Sequence, residues 1–205
     1  MPHHQHLSKD KILKKIAAQH PPIQLKKAKN IFNHLCASIM SQQLSTKVAD
    51  VIHKRFLDLF KGTEPTPEAV LKIDFDELKA IGLSNSKTHY IKNVAQFAID
   101  IGLENKKLNK LTDEELIAYL TQIKGVGRWT VEMLMMFALG RENVFSPDDL
   151  VIQMAMIELY KLDNSNKKKL RTDMLQIAEN WHPYRTYACL LLWKHKDVEK
   201  KKKKK

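Results

Sequence analysis

Nowhere in this 205-residue chain do apolar and polar residues alternate over the length of a strand, and β-branched clusters are few. Helix-start signals recur instead. Thr66-Pro67-Glu68 offers an N-cap followed by proline at the first helical position. Asp74 with Glu77, and Thr112 with Glu115, have the spacing of capping boxes. Ser84 can cap a helix whose apolar stripe is Tyr90, Ile91, Val94, Phe97, Ala98 and Ile101, and Gly102 can end it. Ile31, Leu35, Ile39 and Met40 mark an earlier helix, and Val48, Val51, Ile52, Phe56 and Leu59 mark the next. The pattern predicts an all-α fold.

The length suffices for one sizeable core or two small lobes sharing a cleft. No apolar run is long enough to span a bilayer, and residues 1–6 lack the apolar stretch of a secretory signal. A chain without a membrane segment, inside the cell, is expected. Cys36 and Cys189 lie far apart in apolar stretches and read as buried free thiols. Two cysteines are too few for a four-cysteine iron–sulfur cluster. The net charge is +12, and +6 remains without the lysine run at 200–205. Nucleic acid or another polyanion is the partner class this points to. A solvated protein with a basic tail is the other reading. The tail itself is predicted disordered, and His3, His4 and His6 read as a mobile terminus rather than a metal site.

The most informative segment is Leu120-Thr121-Gln122-Ile123-Lys124-Gly125-Val126-Gly127-Arg128-Trp129-Thr130. A helix begun at Thr112 ends here, and another starts near Arg128 with Val131, Leu134, Met135 and Ala138 on its apolar side. Two glycines flanking a valine let the backbone turn tightly. Main-chain N–H groups can then meet a phosphate at the next helix's N-terminus, where the helix dipole favours an anion. Val126 would anchor the turn in the core. A plain joint between two helices would also use such glycines. With Lys124 and Arg128 beside it, the hairpin suits sequence-independent contact with a DNA backbone.

Some twenty residues on comes Val144-Phe145-Ser146-Pro147-Asp148-Asp149-Leu150. Ser146 reads as an N-cap and Pro147 as the first helical residue, which puts Asp149 at the third helical position. There it could merely complete a capping box, and Asp148 could merely favour the helix dipole. Alternatively, Asp149 is a carboxylate that stabilises developing positive charge on a sugar and orients water.

Together these segments resemble the helix-hairpin-helix, Gly-Pro-Asp (HhH-GPD) superfamily of DNA glycosylases, and among its branches the alkylpurine enzymes of the 3-methyladenine type. The resemblance covers roughly residues 32–194. Ile39-Met40-Ser41-Gln42-Gln43-Leu44-Ser45, Ile81-Gly82-Leu83-Ser84-Asn85-Ser86-Lys87 and Trp181-His182-Pro183-Tyr184-Arg185-Thr186-Tyr187-Ala188 extend it. It implies a two-lobed helical fold with the active cleft between the lobes. One lobe would comprise residues 1–43 and 140–199, the other 44–139, with the tail at 200–205.

It further implies Asp149 as the catalytic carboxylate, with Asp148 as a cap. Trp129, Trp193, Met133 and Tyr187 would line the pocket for the extruded base. Met133 stands where the alkylpurine branch often has an aromatic residue. Gln42, Gln43, Leu44, Lys124, Gly125, Val126, Gly127, Arg128 and Thr130 would contact DNA. Gln43 would fill the gap left by the flipped base, with Leu44 as the other candidate wedge.

Relatives that also cut the strand carry a lysine where this chain has Trp129, so base removal without lyase activity is implied. Main-chain oxygens of Thr121, Ile123 and Val126 would bind a sodium or potassium ion. No other cofactor is expected, the partner is duplex DNA with alkylated bases, and a monomer is expected. Three rivals stay open: a glycosylase for a neutral lesion, a DNA-binding module without chemistry, and a basic structural protein whose glycines and aspartates are all caps.

Overall fold

A computed structural model describes residues 1–202. Among these there is no strand, and the elements are all helices. They are α1 (Pro2–Leu7), α2 (Lys11–Ala17), α3 (Ile31–Ser41), α4 (Thr46–Asp58), α5 (Pro67–Lys72), α6 (Phe75–Ala80), α7 (Asn85–Asp100), α8 (Asn105–Leu108), α9 (Asp113–Leu120), α10 (Arg128–Phe137), α11 (Leu150–Tyr160), α12 (Lys167–Glu179) and α13 (Arg185–Lys202).

Most start signals act as their chemistry dictates. Thr66 accepts a hydrogen bond from the Ala69 N–H with Pro67 opening α5, and Ser84 accepts one from the Lys87 N–H. Thr112 and Glu115 form a reciprocal capping box. Asp74 stands at the N-cap of α6, but its side chain makes no capping bond, so the spacing with Glu77 forms no box.

The chain divides into two compact units, Met1–Lys26 with Gly140–Lys205, and Lys27–Leu139. In the continuous unit α3 packs against α4, α7 and α10, with α5 and α6 on α7 and α9 on α10. Leu35, Ile39, Met40, Ile91, Val94, Leu116, Leu120 and Leu134 are buried there. Each such side chain contributes ~1.5–3 kcal/mol on burial. Residues 27–43, expected with the other lobe, belong to this unit, because the apolar stripe of α3 is spent on α4, α7 and α10. On α4 the inward face is narrower than the sequence suggested: Ile52 and Phe56 are buried, whereas Val48 and Val51 are exposed.

In the discontinuous unit α13 packs against α11 and α2, and α1 rests on α2. Asp10 pins the N-terminal segment. One carboxylate oxygen accepts from the Ile12 and Leu13 N–H groups at 2.8 and 3.1 Å, capping α2. The other accepts from the Tyr160 hydroxyl at 2.7 Å and the Trp181 indole N–H at 3.0 Å. Trp181 is fully buried. The histidine cluster, expected to be a mobile terminus, instead lies on or beside α1: His3 stacks on Tyr187 at 3.9 Å, and a ring nitrogen of His6 lies 3.1 Å from the Asn180 carbonyl oxygen. Backbone helix runs on through Lys202, so the first lysines of the tail are helical rather than disordered. Residues 203–205 lie outside the described residues.

Candidate active site

Asp149 does not sit where the capping-box reading puts it. Residues 146–148 form a turn closed by the Asp149 N–H donating to the Ser146 carbonyl at 3.3 Å, and α11 begins only at Leu150. Asp149 is therefore itself the N-cap. Its Oδ1 accepts from the Ile152 N–H at 2.9 Å. The same oxygen accepts from the Trp193 indole N–H at 3.0 Å. Asp149 as a whole is 7% exposed. Two donors converging on one oxygen fix its plane, and the helix end favours its charge. Asp148 points elsewhere, paired with Arg171 at 2.7 Å.

Trp193, expected as a pocket wall, is thus a hydrogen-bond donor to the carboxylate. Tyr187 is engaged away from it: its hydroxyl donates to Glu142 at 2.7 Å and its ring lies under His3. Burial is the first cause, ahead of Glu142, pushing that hydroxyl well above the ordinary tyrosine range.

The hairpin in the continuous unit follows the sequence closely. Val126 is buried and its N–H donates to the Ile123 carbonyl at 2.9 Å. The two glycines serve different needs. Gly125 has φ +105°, and a Cβ there would run into the Tyr90 ring. Around Gly127, just before α10, a Cβ would meet nothing. The first glycine fits the turn to the protein, and the second leaves open space at a helix N-terminus.

Lys124 is exposed, and its carbonyl accepts from the Asn93 amide at 3.1 Å. Arg128 is committed to Glu114 at 2.8 Å and Glu132 at 3.1 Å. Thr130 is buried rather than facing outward. Of the three oxygens expected to hold a monovalent cation, that of Ile123 already accepts from Val126, and its second lone pair leaves the all-oxygen set chemically suited to such an ion. Among the described residues no cluster of three His, Cys, Asp or Glu could hold a metal.

The Gln42-Gln43-Leu44 segment leaves the end of α3. Gln43 adopts φ +58°, and both Gln43 and Leu44 are exposed. Gln42 turns inward: its amide nitrogen lies 3.4 Å from both the Gly125 carbonyl oxygen and Thr130 Oγ1.

Within the same unit lies a cavity of about 360 Å³ lined by His34, Ser38, Asp50, His53, Trp129 and Met133 among others. Trp129 is 38% exposed and Met133 is buried. Burial lowers the pKa of His34 below its ordinary value of 6.5. Sequence reasoning missed His34, which lies in an apolar helix pattern, and Lys87, whose side chain reaches the end of α3.

Residues 36–180 match the family described as HhH-GPD superfamily base excision DNA repair protein. DNA-3-methyladenine glycosylase 1 of Schizosaccharomyces pombe is 38% identical over 188 residues, 90% of this chain and 80% of that protein. Among solved structures, an S. pombe 3-methyladenine DNA glycosylase in complex with abasic DNA superposes with TM-score 0.82 at 35% identity, covering 95% of this chain and 96% of that one. A DNA-3-methyladenine glycosidase from Bacillus halodurans gives TM-score 0.78 at 35% identity, with 92% and 86% covered. The all-helical fold, the glycine hairpin and the capped aspartate are accounted for together: the chain belongs to the HhH-GPD superfamily of base excision DNA repair proteins.

Proposed function

We propose that the chain is a monofunctional DNA glycosylase that hydrolyses the N-glycosidic bond of alkylated purines of the 3-methyladenine type, flipped out of duplex DNA. The observation that carries this is Asp149, a buried carboxylate held by the Trp193 N–H and by the N-terminus of α11. Breaking the glycosidic bond leaves an oxocarbenium-like sugar. A carboxylate already fixed in place stabilises that charge without reorganising and orients the attacking water. Alkylation makes the base a cationic leaving group, so no acid is needed to expel it.

The cavity beside Trp129 is large enough to admit such a base. The partly exposed Trp129 ring would attract a cation by ~0.5–2 kcal/mol, and burial disfavours the charged form of His34 in the same cavity. Trp129 also occupies the position where a lyase needs its amine, so the strand is left uncut. Gln43 fills the vacated stack, with Leu44 beside it as the alternative wedge. The hairpin grips the phosphates from Lys124, Gly125, Val126 and Gly127, and the main-chain oxygens of Thr121, Ile123 and Val126 would hold a sodium or potassium ion in support. The protein acts as a monomer inside the cell, without an iron–sulfur cluster. No helix among the described residues is long and apolar enough to cross a membrane.

The test is incubation with methylated duplex DNA, assaying free bases and strand breaks, with Asp149→Asn as control. Release of 3-methyladenine that the control lacks, with breaks only after alkali, is the expected result. Breaks without alkali would refute the argument from Trp129. Tight duplex binding without base release would leave a binding module.

A further inference from the structure

Lys87 lies in the first turn of α7, where its own N–H is taken by Ser84. Its side chain has a different task. The part-buried ammonium donates to the Gln42 carbonyl at 2.6 Å and to the Met40 carbonyl at 3.0 Å. Both belong to the end of α3, where main-chain carbonyls lack partners within the helix and the dipole favours a cation. Partial burial lowers the Lys87 pKa below the ordinary lysine range.

One residue further on stands Gln43, a non-glycine residue in the left-handed region. Such a conformation persists only where the surroundings over-determine it. Here they do so from two sides. Lys87 grips the carbonyl just before Gln43, and the Gln42 side chain reaches Gly125 and Thr130 of the hairpin. Ser45 then caps α4 by accepting from the Val48 N–H. Gln43 and Leu44 are the two exposed residues between these fixed points.

We propose that Lys87 is the positioning residue of the base-flipping plug: by clamping the end of α3 it holds Gln43 and Leu44 preset for insertion, so that flipping does not first have to order the segment. This rests on the reading of Gln43 and Leu44 as the plug. It differs from the obvious role of a lysine in a DNA-binding protein. A phosphate contact would act through charge, whereas a clamp acts through the shape of residues 42–44.

The experiment compares the wild type, Lys87→Met and Lys87→Gln, each alone and combined with Gln43→Ala/Leu44→Ala. The probe is a duplex carrying 2-aminopurine beside a tetrahydrofuran abasic analogue, read by stopped-flow fluorescence. Single-turnover excision from methylated duplex is measured beside it. Thermal melts identify variants that fold, and Gln, which keeps an amide donor, stands in should the Met variant not fold.

Lys87→Met is expected to lower the fluorescence amplitude and to slow excision by about tenfold, the scale of one relaxed backbone constraint. The slope of log affinity against log salt for undamaged duplex should stay unchanged. In the plug-deleted background Lys87→Met should cost little more, because both act on one event. A salt slope reduced by about 1 would make Lys87 a phosphate contact and overturn the proposal. So would full additivity with the plug deletion. If Gln43→Ala/Leu44→Ala by itself leaves fluorescence and excision intact, the plug reading fails first, and the clamp's purpose with it.

Discussion

The bond between Trp193 and Asp149 separates two roles for the same tryptophan. As an aromatic wall, Trp193 would contribute through its face. As a donor, it contributes through one N–H at 3.0 Å from Asp149 Oδ1. Trp193→Phe removes the donor and keeps an aromatic ring. A hydrogen bond to a charged group is worth ~1.5–3 kcal/mol. If all of it acts at the transition state, excision slows roughly 10- to 150-fold. The lower part of that range is expected, since the Ile152 N–H still holds the same oxygen.

The assay is single-turnover release of 3-methyladenine from methylated duplex at saturating enzyme, with the affinity for an abasic-analogue duplex measured in parallel. The rate should fall while the affinity stays. Trp193→Ala, which removes ring and donor together, should be little slower than Trp193→Phe among variants that stay folded. A Phe variant at the wild-type rate, with an Ala variant far below it, would refute the donor argument and restore the aromatic wall.

Other outcomes follow from the same geometry. Asp149→Asn should cut excision by roughly 10²–10³-fold or more, with thermal stability nearly unchanged because Asn is as good an N-cap as Asp; a melt and a rate measurement check both halves. Gly127→Ala should leave the melt intact and weaken duplex binding. Gly125→Ala should destabilise the fold by at least ~1–3 kcal/mol, since it meets both a positive φ and the Tyr90 ring.

Asp10→Ala removes the cap of α2 and leaves the Tyr160 hydroxyl and the Trp181 N–H without their acceptor. It should cost ~2–5 kcal/mol, lowering the melting temperature by roughly 2–4 °C per kcal/mol. For His34, burial favours the neutral form in the folded state. The unfolded chain therefore binds more protons as the pH falls below about 6.5, and stability is lost in that direction. His34→Gln should flatten this part of the Tm-against-pH curve.

The helical class was legible because helix caps are local chemistry. Thr66, Ser84 and Thr112 with Glu115 act on backbone groups three residues away. The hairpin was legible for the same reason. What sequence spacing hid was tertiary. Ser146 and Pro147 offer an equally good helix start, and only the turn at 146–149 shifts the boundary so that Asp149 becomes the cap. The donor role of Trp193 depends on α13 lying beside the start of α11, and no local pattern encodes it. Lys87 sat within a recognised segment, yet its partners are 45 and 47 residues away. Gln42 carries the same polarity whether it faces solvent or the hairpin, so its inward turn could not be read from its type.

The unit that holds Asp149 is assembled from both ends of the chain, with residues 27–139 intervening. Because Asp10 is the acceptor for Tyr160 and Trp181, that unit cannot complete its core until its last helices have been synthesised. The intervening unit, with the hairpin, Trp129 and the Gln43-Leu44 segment, is contiguous and can fold first as a chain emerges from the ribosome. The hairpin can thus form before Asp149 is framed, and a substitution at Asp10 disturbs a unit whose carboxylate is encoded well over a hundred residues later.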